Sequence, residues 1–281
     1  MKLLVTGATG FIGNHLVIQA LRQGHQITVI ARDKSHVFNM EWGHQVDCVE
    51  ADIEQPNTEW PESIASYDAL FHLAWSGLPN YQQSFHLDVV LPAHKQFLQT
   101  MLETGIKQIL VTGTCLEYGK QEGQLTESMP AFPDVPYAQA KDHLRQWLVS
   151  LQKQRPFTLQ WCRLFYMYGS GQHANSLLSQ LEQAIENGHP VFNMSGGEQV
   201  RDYLSVETVA QYLLKVIEQQ DCNGILNICS GEPITILELV KQFITARQST
   251  IELNLGFYPY PDYEAMAFWG NADKLKQWII S

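Results

Sequence analysis

The sequence predicts an α/β protein in which a doubly wound parallel sheet is followed by a smaller C-terminal lobe. Short apolar runs typical of buried parallel strands alternate with helical patterns up to about residue 165. This alternation indicates βαβ units, whose parallel strands share one sheet with helices on both faces. Beyond that point the alternation loosens. We therefore predict a first domain over residues 1–165 and a smaller lobe over residues 166–281.

The first domain is predicted to contain six strands. Each is a short run rich in Leu, Ile and Val that is bounded by polar or glycine-containing turns. In chain order the predicted strands are Leu3–Val5, Ile27–Ile30, Val46–Glu50, Ala69–Ala74, Ile109–Thr112 and Thr158–Arg163. Between them, helical patterns cover Phe11–Arg22, a stretch from about Tyr81 to Glu103, and a segment that begins at Pro136.

The lobe is predicted to be mainly helical, after a glycine- and aromatic-rich loop over Leu164–Gln172. Ser205 is placed to cap one of its helices, and Thr235 with Glu238 forms the capping-box pattern of another. The predicted elements are helices over Asn175–Asn187, Val206–Gln219 and Ile236–Ala246, and a strand over Ile225–Ile228. We expect an interleaved boundary, in which the helix from Val206 packs back on the first domain.

Composition excludes several classes of partner. The net charge of −11 argues against nucleic acid or an anionic membrane surface as the main partner. The five cysteines are odd in number and lack paired metal spacing, and the histidines, including His72 and His173, lack it too. No apolar run approaches the roughly 18 residues of a membrane span. We predict a cytoplasmic protein with free thiols, no bound metal and no membrane association.

The decisive motif for a cofactor is the glycine triplet Gly7, Gly10 and Gly13, which lies between the first strand and the first helix. Glycines in this context allow a tight turn, close approach of the backbone to a pyrophosphate, and close contact between helix and strand. The first N–H groups of the helix have no partner within it and can bind phosphate. The triplet therefore predicts a dinucleotide-binding, or Rossmann, domain.

The end of the second strand bears on the choice between NAD and NADP. An acid there binds the 2′-hydroxyl of NAD, whereas an arginine suits the 2′-phosphate of NADP. This strand runs into Ala31-Arg32-Asp33-Lys34, so Arg32 predicts NADP, with NAD as the alternative. Alternatively, Arg32 and Lys34 belong to a solvated turn beside Asp33 and contact no cofactor.

Tyr137 and Lys141 are the candidate acid–base pair. They are four residues apart near the start of a helix, so they lie on one helix face. A tyrosine hydroxyl titrates near 10, and a nearby ammonium favours its ionised form. The pair can therefore exchange a proton with a carbonyl or alcohol oxygen. A third partner of this pair is expected just after the fifth strand.

These motifs resemble the extended branch of the short-chain dehydrogenase/reductase family, which includes nucleotide-sugar epimerases, dehydratases and ketoreductases. The segment Val111–Gly119 resembles that branch's Ser-Ser-x-x-x-Tyr-Gly, in which the catalytic hydroxyl matches Thr114. Thr112 is the alternative, and a strand-end threonine that caps its own turn would explain the residue without catalysis. Arg163–Gly169 looks like its Arg-x-x-x-x-Tyr-Gly, and Gly197–Tyr203 contains its Arg-Asp-Tyr element. The resemblance extends from the N-terminus to about residue 203.

The resemblance implies roles for further residues. Lys141 would also touch the nicotinamide ribose, and Arg201 would bind the diphosphate of the substrate. The implied cofactor-binding residues are Gly7, Thr9, Gly10, Phe11, Ile12, Gly13, Arg32, Asp52, Ile53, Leu73, Ala74 and Lys141. The implied substrate-binding residues are Trp75, Thr114, Asn175 and Arg201. A structural ion pair between Arg201 and Asp202 is the alternative for that arginine.

Departures from the family pattern narrow the reaction. The 4,6-dehydratases carry Asp-Glu directly after the catalytic threonine, whereas this chain has Cys115-Leu116 and places Glu117 one residue later. Many epimerases carry a second phosphate-binding arginine near the C-terminus, and the stretch Phe257–Tyr263 has none. Cys115 is interpreted as a small buried residue rather than an acid.

We therefore predict an NADP-dependent reductase of a nucleotide-activated 4-keto-6-deoxysugar, acting at C4. An NAD-dependent nucleotide-sugar 4-epimerase is the first alternative, and a non-catalytic dinucleotide-sensing protein is the second. Thr114, Tyr137 and Lys141 together argue against the sensor. A homodimer is also predicted. The sugar, the nucleotide and the stereochemistry at C4 stay open at this point.

Overall fold

The structure, a computed structural model, describes residues 1–55, 60, 62–260 and 265–279. In chain order, the strands are β1 (Lys2–Thr6), β2 (Gln26–Ala31), β3 (Asp47–Glu50), β4 (Ala69–His72), β5 (Gln108–Thr114), β6 (Gly123–Leu125), β7 (Thr158–Leu164), β8 (Tyr166–Tyr168), β9 (Val191–Asn193), β10 (Val200–Ser205), β11 (Gly224–Ile228), β12 (Pro233–Thr235), β13 (Glu252–Asn254) and β14 (Phe268–Gly270). The helices are α1 (Phe11–Arg22), α2 (Lys34–Phe38), α3 (Leu91–Glu103), α4 (Pro136–Gln154), α5 (Leu177–Glu186), α6 (Val206–Glu218), α7 (Ile236–Ala246) and α8 (Asp273–Ile279).

The main sheet has seven strands in the spatial order β3-β2-β1-β4-β5-β7-β11, and all of its neighbouring strands pair in parallel. The order reverses between β1 and β4. Such a switch point opens a crevice at the carboxyl ends of the strands, where α/β sheets of this kind bind ligands. The prediction of a doubly wound parallel sheet is confirmed.

Alternation along β1 explains how both faces of the sheet are covered. Leu3 and Val5 join the apolar core under α1 and α6, whereas Leu4 joins the core under α3 and α4. All three side chains are fully buried. Successive side chains of a strand point to opposite faces, so a strand covered on both faces is a continuous apolar run.

The C-terminal part of the chain contributes to the main sheet as well as to the lobe. β11 pairs with β7 at the edge of the main sheet, and α6 shares a core with α1. Among the described residues, three small sheets lie outside the main sheet: β8-β10-β12 and β9-β13 are formed by the lobe alone, and β6-β14 joins a strand of the first 165 residues to one of the lobe. A separate apolar core lies between α5 and α7. The division of the chain at residue 165 stays a prediction.

Two local predictions are wrong. The long helix from Tyr81 begins only at residue 86, as a π-helical turn (His86–Val90) that leads into α3. Residues 81–84 lie mainly in turns instead, and the Tyr81 carbonyl accepts a hydrogen bond from the Tyr137 N–H. The predicted loop over Leu164–Gln172 contains β8, which pairs with β10. The helix caps predicted at Ser205 and Thr235 are confirmed.

No helix in the part of the chain that the structure describes is both long and apolar enough to cross a membrane.

Candidate active site

The glycine-rich turn after β1 is closely packed against the end of β4. Gly7 has a φ of +73°, and a Cβ on it would lie 2.7 Å from the Ala74 nitrogen. A Cβ on Gly13 would lie 2.1 Å from the Gly7 carbonyl oxygen. Larger residues would therefore displace the backbone at both positions. Gly10 begins α1 without a side-chain cap, so the N-terminal amides of that helix remain suited to an anion.

A cleft of about 430 Å³ lies at the switch point between β1 and β4. Eight of the predicted cofactor residues line it: Gly7, Thr9, Gly10, Arg32, Asp52, Ile53, Leu73 and Ala74. Phe11, Ile12 and Gly13 form the first turn of α1. The cleft is also lined by Glu54, Ser76 and His36, which no sequence motif had indicated. The proximity of Glu54 to Asp52 in the chain could have indicated the first of these. The tight glycine turn and the uncapped helix fit a dinucleotide.

The end of β2 presents Arg32 to this cleft. The neighbouring Asp33 caps α2, because its Oδ1 accepts hydrogen bonds from the Ser35 and His36 N–H groups at 2.8 and 3.3 Å. The hydrogen bond from the Ser35 side chain contributes most to lowering the pKa of Asp33. The nearest acid after β2 is thus engaged by its own helix.

Thr114, Tyr137 and Lys141 come together between β5 and the first turns of α4. The Thr114 side chain lies close enough to the Tyr137 hydroxyl to oppose the rise in the pKa of that hydroxyl. The Lys141 ammonium donates to the Thr112 carbonyl at 2.9 Å, and the lysine is 1% exposed. Thr112, the alternative to Thr114, donates its own hydroxyl to the His72 carbonyl at 3.5 Å. The geometry therefore favours Thr114 as the hydroxyl beside the tyrosine.

Burial dominates the protonation of this pair. It raises the pKa of the Tyr137 hydroxyl well above its ordinary value. It lowers the pKa of Lys141 to about 7, although the Glu117 carboxylate opposes that shift. Burial therefore opposes the ionised tyrosine expected beside Lys141, and the effect of the lysine on Tyr137 stays a prediction. Tyr137 is neutral at pH 7, which suits a proton donor.

Trp75 connects the tyrosine–lysine pair to the dinucleotide cleft. Its ring lies 4.1 Å from the Lys141 ammonium and 6.0 Å from the Tyr137 ring, and it also lines the cleft. The indole N–H donates to His86 Nδ1 at 3.1 Å, and His86 Nε2 in turn bonds the Asn80 carbonyl. This anchoring histidine was missed, since nothing in the sequence pairs it with Trp75.

Glu117 is the most heavily engaged carboxylate beside the pair. It accepts from the Thr114 N–H at 2.9 Å, from the Trp161 indole N–H at 3.0 Å and from Arg163 Nε at 2.8 Å. Burial raises the pKa of the Glu117 carboxyl, and the charge of Arg163 opposes this shift. Because all of these partners are donors, the carboxylate form fits the site. Glu117, which lies one residue beyond the place of the dehydratase acids, is thus a buried residue that holds the Thr114 backbone by a hydrogen bond.

The two remaining substrate residues, Arg201 and Asn175, differ in exposure. Arg201 is 2% exposed, donates to the Val200 and Met266 carbonyls, and lies over the Phe268 ring at 4.4 Å. Asn175 lies in the exposed loop before α5, where its N–H donates to His173 Nδ1. Their roles toward a substrate stay predictions.

Asp202, the predicted alternative partner of Arg201, accepts hydrogen bonds from Ser230, Gly231 and Gly270, which engage both of its carboxylate oxygens. Cys115 is 6% exposed. Part of the stretch Phe257–Tyr263, residues 261–263, lies outside the described residues. Within the described part of the chain, no group of three or more metal-ligating side chains comes together.

A family model for the "NAD dependent epimerase/dehydratase family" matches residues 3–229. The chain belongs to this family. It is 30% identical to a dTDP-6-deoxy-L-talose 4-dehydrogenase (NAD(+)) of Aggregatibacter actinomycetemcomitans, over 96% of this chain and 99% of the relative. The prediction of an enzyme of the extended short-chain dehydrogenase/reductase type is confirmed.

Solved structures agree with this assignment. A UDP-N-acetylglucosamine 4-epimerase from Methanobrevibacter ruminantium M1, in complex with UDP-N-acetylmuramic acid, matches with a TM-score of 0.82 and 26% identity. That match covers 98% of this chain and 91% of the epimerase. MoeE5 in complex with UDP-glucose and NAD shares the fold, with a TM-score of 0.82 and 22% identity over 99% of this chain and 91% of MoeE5.

Proposed function

We propose that this enzyme reduces a nucleotide-activated 4-keto-6-deoxysugar at C4, with NADP(H) as its cofactor. The observation that carries the proposal is the buried Thr114–Tyr137–Lys141 cluster, which meets the dinucleotide cleft at Trp75. A 4-dehydrogenase and a 4-ketoreductase catalyse the two directions of one reaction. The relative that is named for oxidising a dTDP-6-deoxy sugar at its 4-position therefore supports this substrate class.

Each residue of the cluster has a role in this proposal. The reduced nicotinamide, bound in the cleft, supplies the hydride. Neutral Tyr137 donates the proton that the C4 oxygen gains, and Thr114 holds that oxygen by a hydrogen bond. Lys141 orients the nicotinamide ribose and restores the proton of the tyrosine. Arg201 and Asn175 are proposed to bind the nucleotide diphosphate and the sugar.

The reaction is tested by absorbance of the reduced nicotinamide in the presence of candidate nucleotide-activated 4-keto-6-deoxysugars. We expect one NADPH to be consumed for each sugar reduced. The matched control is the corresponding 4-hydroxy sugar, which should consume none in this direction. Interconversion of two C4 epimers without net change in cofactor would instead establish the 4-epimerase. Dinucleotide binding without conversion of any such sugar would favour the sensor.

Arg32 makes the choice of cofactor testable. We expect wild-type protein to bind NADPH about tenfold more tightly than NADH, since a charged hydrogen bond to the 2′-phosphate contributes roughly 1.5–3 kcal/mol. Arg32→Ala should abolish this preference without weakening NADH, as measured by calorimetry. Arg22→Ala, at the exposed end of α1, is the matched control. Equal affinity of the wild type for both dinucleotides would instead favour NAD, the cofactor in the relative's name.

We further propose a homodimer located in the cytoplasm, in which residues 1–165 bind the dinucleotide and residues 166–281 contribute most of the sugar site. The interleaved edge strand β11 and helix α6 would then couple the two parts.

A further inference from the structure

Four polar side chains form a continuous hydrogen-bonded row beneath the dinucleotide cleft. Thr6 Oγ1 lies 3.0 Å from His72 Nδ1, and His72 Nε2 lies 2.8 Å from His94 Nδ1. His94 Nε2 lies 3.4 Å from Oε1 of Glu54. Both histidines are fully buried. We call these four residues the buried row. The proposed chemistry uses none of them.

The number of protons that each group carries determines which partner donates each hydrogen bond in the buried row. The hydrogen bond from His94 lowers the pKa of Glu54, so its carboxylate only accepts. Burial lowers the pKa of both histidines, so each is neutral and carries a single ring proton. His94 must then donate from Nε2 to Glu54 and accept at Nδ1 from His72 Nε2–H. His72 Nδ1 in turn accepts the Thr6 hydroxyl proton.

The row connects the structural elements that border the cleft. Thr6 ends β1 directly before Gly7, His72 ends β4, His94 lies on α3, and Glu54 lies in the segment after β3. Thr6 Oγ1 also accepts the Ala74 N–H at 3.3 Å. This is the same nitrogen that a Cβ on Gly7 would approach to 2.7 Å. The Ser76 side chain also contributes to lowering the pKa of Glu54.

We propose that Glu54 and His94 are positioning residues for the dinucleotide, which act through His72 and Thr6 to hold the Gly7 turn against the Ala74 end of β4. The proposal rests on the proposed cofactor role of the cleft. A side chain locked by packing and hydrogen bonds holds its neighbours in the geometry that ligand binding needs, so less ordering is left to occur on binding. The buried row thus holds in place the Gly7 turn, which is the part of the cleft that the pyrophosphate approaches.

Charged neighbours constrain the row from several sides. The Lys141 ammonium disfavours protonation of both histidines, and the carboxylates of Glu54 and Asp52 favour it at His94. Arg32 lies near enough to Glu54 to stabilise its charge. The Trp75 ring packs against His94 with 4.7 Å between ring centroids. The row therefore also contacts the tryptophan whose ring lies against the Lys141 ammonium.

The affinity test uses His94→Phe, which keeps a ring in the aromatic surroundings and removes both nitrogens. We expect the Kd values for NADH and NADPH to rise by about tenfold each, since a broken buried hydrogen bond leaves Glu54 and His72 without that partner. The loss of affinity should be equal for NADH and NADPH because both cofactors carry the same pyrophosphate. Calorimetry without sugar measures it. Leu98→Ala, on the same helix and fully buried, should lower Tm and leave both Kd values unchanged.

Glu54 provides a second pair of variants at a partly exposed position, where folding is less at risk. Glu54→Gln keeps an oxygen that can accept from His94 and should retain near wild-type Kd values for NADH. Glu54→Leu should raise them as His94→Phe does. Wild-type Kd values in both His94→Phe and Glu54→Leu would overturn the positioning role alone. A wild-type protein that binds neither dinucleotide would overturn the cofactor role as well.

The direction of the row has its own spectroscopic readout. Nitrogen NMR of protein with labelled histidines should show His72 and His94 as neutral rings protonated at Nε2 only. Glu54→Leu should change the signals of His94, because its Nε2–H loses the acceptor. A doubly protonated ring, or a proton on Nδ1 of either histidine at pH 7, would overturn the proposed arrangement.

Discussion

Tyr137→Phe is expected to lower kcat by about 10²–10⁴-fold while the affinity for the dinucleotide changes by less than about twofold. The substitution removes only the hydroxyl, which lies beside the Thr114 side chain. The phenyl ring keeps the contacts that Tyr137 makes with the rings of Trp75, Tyr81 and His86. The proton donor is therefore lost from a site whose shape is preserved.

The measurement is turnover of the sugar by reduced-nicotinamide absorbance, together with dinucleotide calorimetry. Tyr118→Phe is a matched control, because Tyr118 is also fully buried and its hydroxyl donates to Asn227 Oδ1 at 2.7 Å, outside the cluster. It should cost about 1 kcal/mol of stability and leave kcat near that of the wild type. If Tyr137→Phe kept more than a tenth of the wild-type kcat, the proton would have to come from another group.

Local patterns were sufficient to predict the framework of the site. A short apolar run before Gly7 predicts a buried strand and a tight turn, and the structure packs that turn against Ala74. The four-residue spacing of Tyr137 and Lys141 predicts one helix face, and both side chains reach the end of β5. These inferences succeed because strand and helix periodicity act over a few neighbouring residues.

The supporting contacts could not be predicted in the same way. Glu117 meets Arg163 across 46 positions of sequence, and His72 meets His94 across 22. Only the pairing of β5 with β7 and the packing of α3 on the sheet bring these groups together. The strands of the lobe are also short, such as the three residues of β8, so no period can develop in them.

The buried ion pair between Glu117 and Arg163 also contributes to the stability of the fold. The Glu117 carboxylate and the Arg163 guanidinium are 0% and 1% exposed, and the guanidinium lies 4.3 Å from the Tyr118 ring. Removing one member of a buried ion pair leaves the other charge without compensation in a poorly solvated site. In this protein the Thr114 N–H and the Trp161 indole would lose their acceptor as well.

Glu117→Ala is therefore expected to lower the free energy of unfolding by about 3–5 kcal/mol and Tm by roughly 10 °C, as measured by thermal and denaturant unfolding. Glu182→Ala is the matched control, since the Glu182–Arg247 pair has the same 2.8 Å separation but is 30% and 46% exposed. Its cost should stay within about 1 kcal/mol. Replacing both Glu117 and Arg163 by methionine should recover part of the loss, because no unpaired charge remains. Equal destabilisation by Glu117→Ala and Glu182→Ala would show that burial adds nothing to the pair.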